Sequence, residues 1–332
     1  MMSILSRLAS AKLTLLGMVG LAIGAGLGYE NPSETSDWFL AVPLLFLSLN
    51  LCAAILTKRA INRRPGLLVF HLGLLALCVL VAVGRLTFFD ARIEMTQGTA
   101  FDPQLLSIVK QGPLHSAGLE ELVFIQGPYT VSYAARLKRG PTRSHVLIPE
   151  GDGTMREEVV GDDTPLLLGG YRFYTSFNKG FGAIVTWLPD GGEPMTGTIH
   201  MPSYPLFDYK QANSWAPPGG EEVKLWLRLD TGIDLEKSWV LDGEKSEGIL
   251  IVTAGDNRQE LSQGEEIKLV TGRLRFDQLT TWMGYKVFYD PTLVWLFWAS
   301  VIAVLGLSVH YWMKFSRLPM KVIGTPRKHP GQ

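Results

Sequence analysis

The chain has 332 residues, of which 47% are hydrophobic and only 19% are charged. Its mean hydropathy of +0.16 is high for a soluble protein of this length and indicates that part of the chain lies in a membrane. Lysine plus arginine equals aspartate plus glutamate at 31 each, so the net charge identifies no class of partner. The two cysteines form no CxxC or CxxCH motif, which excludes a CxxC thiol oxidoreductase and a covalent c-type haem on this chain.

Four apolar runs are long enough to cross a bilayer, whose core of about 30 Å needs about 20 helical residues. They predict transmembrane helices at about 13–28, 38–57, 66–88 and 289–314. The first run also fits a signal peptide, because Arg7 and Lys12 precede it. No A-x-A cleavage site follows that run, which favours a retained helix.

The charge of the loops predicts the orientation of these helices. The loop YENPSETSDW after the first run contains acidic residues but no lysine or arginine, whereas basic residues fill the next loop and follow the fourth run. The basic residues are Lys58, Arg59, Arg63, Arg64, Lys314, Arg317, Lys321, Arg327 and Lys328. Positive loops stay in the cytoplasm. We therefore expect both termini and the basic tail, 315–332, in the cytoplasm of an inner membrane protein, and 89–288 in the periplasm.

The stretch 89–288 has the pattern of a β-rich domain, inserted between the third and fourth helices. The segments ELVFIQ, YTVSYAARL, VKLWLRL and GILIVTA read as strands, and FGAIVTWLPDGGEPMTGTIHM reads as a hairpin that turns at Pro189-Asp190-Gly191-Gly192. No βαβ alternation is present, so a sandwich or an open barrel is expected. GGYRFYTSFN and MGYKVFYDPT resemble each other, which fits either duplicated hairpins or the common chemistry of edge strands, and we favour the second interpretation.

Small and polar residues in the first two helices predict helix packing. Gly20, Gly24 and Gly28 are four residues apart, so they lie on one helix face and open a groove for a neighbouring helix. Asn50 in the second helix needs a hydrogen-bonding partner in hydrocarbon, which makes it a candidate interhelical contact.

His71 is the one ionisable side chain within the third apolar run before its terminal Arg85. His71, Cys78 and Arg85 are seven residues apart and fall near one helix face, which should turn away from lipid. The imidazole has three interpretations: a structural hydrogen bond between helices, a proton relay, or a ligand of a metal or haem iron. The residues alone favour the structural one. His310, near the cytoplasmic end of the fourth helix, is typical of an interfacial aromatic belt.

The order of these features resembles the ResB (CcsB) family of System II cytochrome c maturation proteins. The matching segments are LSLNLCAAI, FHLGLLALCVLVAVGR, IEMTQGTAFD, GYRFYTSFN and MGYKVFYDPTLVWLFWASVIAVLGL. The resemblance covers the whole chain, and its weight lies in the order and spacing of the motifs. Two features depart from the family: Thr292 follows Asp290-Pro291 where the family has glycine, and the outer domain is short.

The resemblance implies a role in haem transfer. Members work with a ResC (CcsA) haem-handling membrane protein and attach haem to the CxxCH thiols of apocytochrome c outside the cytoplasmic membrane. It implies that His71 ligates a transient haem b, with His310 and Arg85 as weaker candidates. It implies no catalytic residue on this chain alone and no metal beyond the haem iron.

Two other functions compete with this one. The chain could be a structural anchor or docking subunit of a respiratory or photosynthetic complex without haem, or an enzyme with an outer site. No nucleophile elbow, phosphate loop or paired metal ligands support an enzyme. The outer histidines, His115, His145 and His200, have no ligand-like spacing and are expected at the surface. Nucleic acid is not indicated, because the basic residues explain the topology.

Overall fold

We analysed a computed structural model, which describes residues 2–32, 34–116, 118–151, 153–206, 209–230, 236–242 and 246–316. The chain divides into two compact units. The helical unit comprises Met1–Phe88, Gly112–His115 and Asp290–Gln332, and the β unit comprises Phe89–Gln111 and Ser116–Tyr289. Most of the predicted cytoplasmic tail, from Arg317 onward, lies outside the described residues.

The helical unit has six described helices: α1 Met2–Leu8, α2 Ala11–Glu30, α3 Trp38–Thr57, α4 Arg59–Asn62, α5 Pro65–Thr87 and α6 Leu293–Phe315. Four of them, α2, α3, α5 and α6, are long and apolar enough to cross a membrane. The prediction of four such helices is therefore confirmed. The short helices α1 and α4 were not predicted.

Local chemistry explains where two of the long helices begin. Pro65 occupies the first turn of α5, where backbone N–H groups have no partner within the helix, so proline costs no helical hydrogen bond there. α6 begins at Leu293, later than the predicted 289, because a side-chain turn precedes it. The Asp290 carboxylate accepts hydrogen bonds from the backbone N–H of Thr292 at 2.8 Å and from its hydroxyl at 2.7 Å.

The β unit has three antiparallel sheets. The strands are β1 Phe89–Thr96, β2 Ser107–Gln111, β3 Ile125–Ala134, β4 Lys138–Pro149, β5 Met155–Gly161, β6 Leu166–Leu168, β7 Tyr171–Pro189, β8 Met195–His200, β9 Ala212–Trp215, β10 Val223–Asp230, β11 Trp239–Asp242, β12 Glu247–Ala254, β13 Asn257–Leu261, β14 Glu266–Leu269 and β15 Gly272–Tyr289. A seven-stranded sheet has the order β2-β1-β15-β7-β6, with β14 beside β15 and β8 beside β7. The four-stranded sheets are β13-β12-β10-β9 and β11-β3-β4-β5.

This architecture confirms a β-rich antiparallel region between the third and fourth apolar helices in sequence order. The hairpin prediction is confirmed, because β7 pairs with β8 from Gly182↔His200 to Trp187↔Met195. The strand predicted at ELVFIQ is wrong over most of its length. Leu119–Glu121 forms a 3-10 helix and β3 begins only at Ile125. The sandwich or open barrel stays a prediction.

The two similar segments around residues 170 and 284 are not edge strands, as we had interpreted them. They belong to β7 and β15, the neighbouring strands inside the seven-stranded sheet, and they pair with each other. Lys286 lies opposite Tyr174 and Val287 lies opposite Phe173. The resemblance therefore reflects two partners that bury equivalent faces in one core.

All three sheets contribute to one apolar core. At its centre the rings of Phe101, Phe124 and Phe173 contact one another, with centroid distances of 5.0–5.3 Å. A buried polar group joins two sheets beside these rings. The hydroxyl of Tyr285 donates to the amide oxygen of Gln126 at 2.6 Å and lies 2.7 Å from the hydroxyl of Ser144. The β unit thus excludes water without any disulfide, since both cysteines are free and lie outside it.

Candidate functional site in the helical unit

The structure gives the imidazole of His71 a defined hydrogen bond. Its Nδ1 lies 2.7 Å from the backbone oxygen of Leu67, one turn earlier in α5. A carbonyl oxygen can only accept, so Nδ1 must carry a proton, and in the neutral ring Nε2 then carries the lone pair. The side chain is half-buried, and Nε2 has no hydrogen-bonding partner among the described residues. Histidines that ligate metals are commonly oriented by such a bond from the second ring nitrogen.

The face of α5 that carries His71 is the face predicted from the seven-residue spacing. Cys78 and Arg85 lie within roughly 40° of His71 around the helix axis. Near the far end of this face Ala82 is fully buried, and Arg85 lies 4.0 Å from the carboxylate of Asp37, just before α3. Burial raises the pKa of Asp37, and the charge of Arg85 opposes that rise. The end of this face at Arg85 therefore turns towards the residue that precedes α3.

Arg85 is far from His71 along the helix. The two are fourteen residues apart, or about 21 Å at 1.5 Å per residue, which a single porphyrin does not span. The guanidinium is half-exposed, with 50% of its side chain accessible, and the Asp37 carboxylate is its nearest ionic partner. The structure thus assigns Arg85 to a contact between α5 and the segment before α3, and it does not bring Arg85 to the His71 imidazole.

His310 lies on a different side of α5. A Cβ added to Gly66 would meet the backbone nitrogen of His310 at 2.5 Å, and a Cβ added to Gly73 would meet that of Ala303 at 2.8 Å. Gly66 and Gly73 therefore mark the face of α5 that packs on α6. His71 points roughly 140–160° away from that face, at 100° per residue. The structure does not place the two histidines as a pair of ligands on one group.

The contact between α5 and α6 was not predicted, although its signal is present in the sequence. Gly66 and Gly73 are seven residues apart on α5, and small residues recur on α6 at Ala299, Ala303 and Gly306. A Cβ on Gly306 would meet the backbone nitrogen of Phe70 at 2.5 Å. The backbones of the two helices therefore approach closely, as small-residue interfaces in membranes allow.

The predicted glycine groove on α2 is present in part. A Cβ on Gly24 would meet the backbone oxygen of Phe39 at 2.2 Å, and one on Gly20 would make ordinary contact with Pro43 at 3.6 Å. Gly28 meets nothing within 4 Å, while Gly17 approaches Leu47 at 2.7 Å. α3 begins at Trp38, opposite Gly24, so it is too short to reach Gly28, although Gly28 lies on the same face.

Asn50 joins α3 to the junction between α1 and α2. Its Nδ2 donates to the backbone oxygens of Leu8 at 2.5 Å and Ser10 at 3.2 Å, and its Oδ1 accepts from the hydroxyl of Thr14 at 2.7 Å. Ser10 also caps α2 by accepting from the backbone N–H of Lys12. The amide thus holds α3 against the break between α1 and α2 through hydrogen bonds to both sides of that break.

The outer histidines are half-buried and bonded rather than free at the surface. His200 stacks on the ring of Trp282 at a centroid distance of 5.1 Å, and its Nε2 lies 2.8 Å from the hydroxyl of Thr96. The Nδ1 of His115 lies 2.9 Å from the backbone oxygen of Thr87, and His145 contacts Glu157. Each is therefore part of a local contact, which sequence spacing did not indicate.

Lys179 of the β unit is a buried charge that sequence analysis missed. Only 1% of it is exposed, and its Nζ donates to the backbone oxygen of Ser176 at 3.3 Å. Burial and, to a smaller extent, the charge of nearby Arg139 lower the pKa of Lys179 to about 8, and Asp162 opposes both effects. No group of three or more His, Cys, Asp or Glu residues that could hold a metal ion occurs in the described part of the chain.

Comparisons with known proteins give few matches. No family model matches the chain, and no curated protein matches it. Three chains among solved structures do, and one of them is named "Cytochrome c Heme Lyase CcmF". The match to that structure has 13% sequence identity and a TM-score of 0.30, and it covers 91% of this chain and 35% of the other. This chain thus spans about a third of that protein, and the similarity is too low to transfer its activity.

Proposed function

We propose that this chain is a ResB-like subunit of a membrane complex that delivers haem and attaches it to the CxxCH motif of apocytochrome c. In this proposal α2, α3, α5 and α6 span the cytoplasmic membrane with both termini inside, and the β unit is periplasmic. The partners are a ResC/CcsA-like haem-handling membrane protein, apocytochrome c and the lipid bilayer. The ordered motifs described above, from LSLNLC to MGYKVFYDPT, support it.

The observation that carries the proposal is the orientation of the His71 ring. The bond from Nδ1–H to the oxygen of Leu67 fixes the tautomer of the neutral ring and leaves its Nε2 as a lone-pair donor. A histidine that joins two helices would place at least one ring nitrogen in a hydrogen bond to the second helix. Here one nitrogen is bound within its own helix, so the imidazole joins no second helix through a hydrogen bond in the described residues.

The imidazole of His71 supplies one nitrogen that fits a haem iron. When bound, haem b supplies an iron that accepts a neutral imidazole nitrogen. His71 would hold that iron through Nε2, the apolar residues of the same helix would contact the ring, and Leu67 would hold the imidazole orientation. Any further protein ligand of the iron would come from the partner protein, because His310 lies on another face of α5.

Purified full-length chain in detergent, with and without added haem, tests this proposal. We expect a Soret band that His71→Gly removes and that millimolar imidazole restores, because free imidazole can enter the space left by the ring. His310→Gly is the matched control and should keep the band. A His71→Gly variant whose spectrum is unchanged would contradict the ligand role, and intact c-type cytochromes in a deletion strain would contradict the maturation role.

A docking subunit without haem is the second candidate. It is favoured by the β unit, in which one strand keeps an unpaired edge inside a cleft, as described below. Absence of haem from the wild-type chain and from its purified complex, together with loss of an assembled partner on deletion, would support this function instead.

A further inference from the structure

The β unit contains a large cleft beside the longest strand pair. Its volume is about 1200 Å³, and its walls come from the end of β1, from β10 and β12, and from the middle of β15. We refer to it as the edge cleft, defined by Gln97, Asp230, Glu247, Phe276, Leu279 and Thr281. Most of the residues that line it are polar, and no described strand pairs with the strand edge at its base.

β15 has neighbours on one side along nearly its whole length, but on the other side only at its two ends. β7 pairs with it from Gly272 to Phe288. On the opposite side β14 covers Gly272 to Arg275, and β1 covers Trp282 to Tyr289. The six residues 276–281 lie between these two neighbours, a length of about 20 Å at 3.3 Å per residue. In the described part of the chain they therefore form a short open edge.

Two glycines in the left-handed conformation turn the neighbouring segments of the chain away from β15 at the two ends of this open edge. Gly98, with φ of +86°, turns the chain away just after Gln97 has donated to the backbone oxygen of Thr281 at 2.9 Å. Gly264, with φ of +87°, donates to the backbone oxygen of Phe276 at 2.7 Å and turns the chain into β14. Other residues would be strained there, so the open edge is built into the turns.

Alternation along β15 shows which backbone groups face the cleft. The oxygens of Phe276 and Thr281 both point to the open side, because Gly264 and Gln97 bind them. A bulge between Phe276 and Gln278 absorbs one residue, so the N–H and C=O of Leu279 point to the same side. No described residue bonds to these groups of Leu279 or to the N–H of Thr281.

The charged residues that line the cleft are two acids, Asp230 and Glu247, and one base, Arg228. Asp230 and Glu247 lie directly opposite each other at the ends of β10 and β12, and both are exposed. Like charges in opposite positions destabilise a strand pair. Arg228, the nearest basic side chain of β10, is held by both carboxylate oxygens of Glu260 at 2.8 Å. Arg228 is therefore engaged elsewhere, and a cation from outside would complement the two acids.

We propose that the edge cleft binds an extended segment of a partner polypeptide, which adds a short strand to β15 at Leu279 and places a lysine or arginine against Asp230 and Glu247. Strand addition of this kind gains its affinity from main-chain hydrogen bonds and its specificity from side-chain contacts. The inference does not depend on haem binding at His71.

Binding of a defined peptide to the full-length chain in detergent tests this site. The probe is an acetylated, amidated, fluorescent octapeptide of alternating valine and threonine with one central lysine. We expect saturable binding that weakens at least tenfold when the central lysine is replaced by glutamate. The double variant Asp230→Asn, Glu247→Gln should lose the same factor and remain folded, because both side chains are exposed.

Two further measurements separate strand addition from charge attraction alone. A peptide methylated on every second backbone nitrogen should not bind, and amide exchange in the segment around Leu279 should be fast in the free chain and slower with the peptide. Equal binding of the methylated peptide would overturn the proposal, as would an amide of Leu279 that is already protected by a second copy of the chain. The His71→Gly variant should bind the peptide normally, so failure here is independent of the haem proposal.

Discussion

In the helical unit the helices pack on one another at glycines, whereas the core of the β unit is built from large apolar and aromatic side chains. Gly24 and Gly66 approach neighbouring backbone atoms so closely that an added Cβ would lie 2.2–2.5 Å from them. The core of the β unit instead surrounds rings such as Phe124 and Phe173, both 0% exposed. Helices in lipid gain little from burying apolar side chains, so close backbone packing takes that role. In water, apolar area is the main driving force.

Polar groups show the same contrast. Asn50 in the helical unit satisfies backbone oxygens at a helix break. Gln126 in the β unit joins side chains of two sheets, since its amide nitrogen donates to Ser144 at 2.9 Å and its oxygen accepts from Tyr285. The amide of Asn50 thus binds backbone oxygens between helices, whereas the amide of Gln126 joins two sheets through side chains. The predictions below test this contrast, from the largest expected effect to the smallest.

Phe173→Ala should lower the free energy of unfolding by about 3–5 kcal/mol, because it removes a fully buried ring that contacts two others. Thermal unfolding of the full chain, followed by near-ultraviolet circular dichroism, measures the change. Phe177→Ala on the same strand is the control, since that ring is 71% exposed, and it should change stability by less than about 0.5 kcal/mol. Equal losses in both variants would mean that burial in this core does not set stability.

Lys179 should make the stability of the β unit rise with pH between about 8 and 10.5. Below that window the lysine is protonated in both states, and the cost of burying its charge is constant. Between these pH values Lys179 of the folded state has lost its proton, because its pKa there is about 8. In the unfolded state Lys179 has its ordinary pKa of 10.5 and still binds the proton. The unfolded state then binds more protons, so the free energy of unfolding increases with pH, by at most on the order of 3 kcal/mol.

Urea unfolding of the full chain at several pH values measures this dependence. Lys179→Met should remove the rise, and Lys224→Met, which changes an exposed lysine of β10, should keep it. A rise that persists in Lys179→Met would assign the pH dependence to another group.

Gly24→Ala should destabilise the helical unit by about 1–3 kcal/mol, because the new methyl would overlap the backbone oxygen of Phe39. Gly28→Ala lies four residues further on the same predicted stripe and meets nothing within 4 Å, so it should be neutral or slightly stabilising. Unfolding by a denaturing detergent, monitored by helical circular dichroism, compares the two. Equal behaviour would show that the predicted stripe, rather than the position of α3, governs packing.

Local patterns were enough to predict the four apolar helices and most of the strands tested, because hydropathy and alternation act over a few residues. The seven-residue spacing of His71, Cys78 and Arg85 also predicted a shared face. The separation of His71 from His310 was beyond such patterns. It depends on which side of α5 receives α6, and the glycines at 66 and 73 decide this through contacts with a helix more than 200 residues later in the chain.

The sequence by itself determined the long apolar helices, the antiparallel β region between the third and the fourth, and an imidazole placed among apolar residues. Only the tertiary structure decided that His71 and His310 lie on different sides of α5, that Lys179 is buried, and that β15 keeps an open edge at Leu279 among the described residues. Composition and periodicity act along the chain, whereas these three features depend on which distant segment lies beside each group.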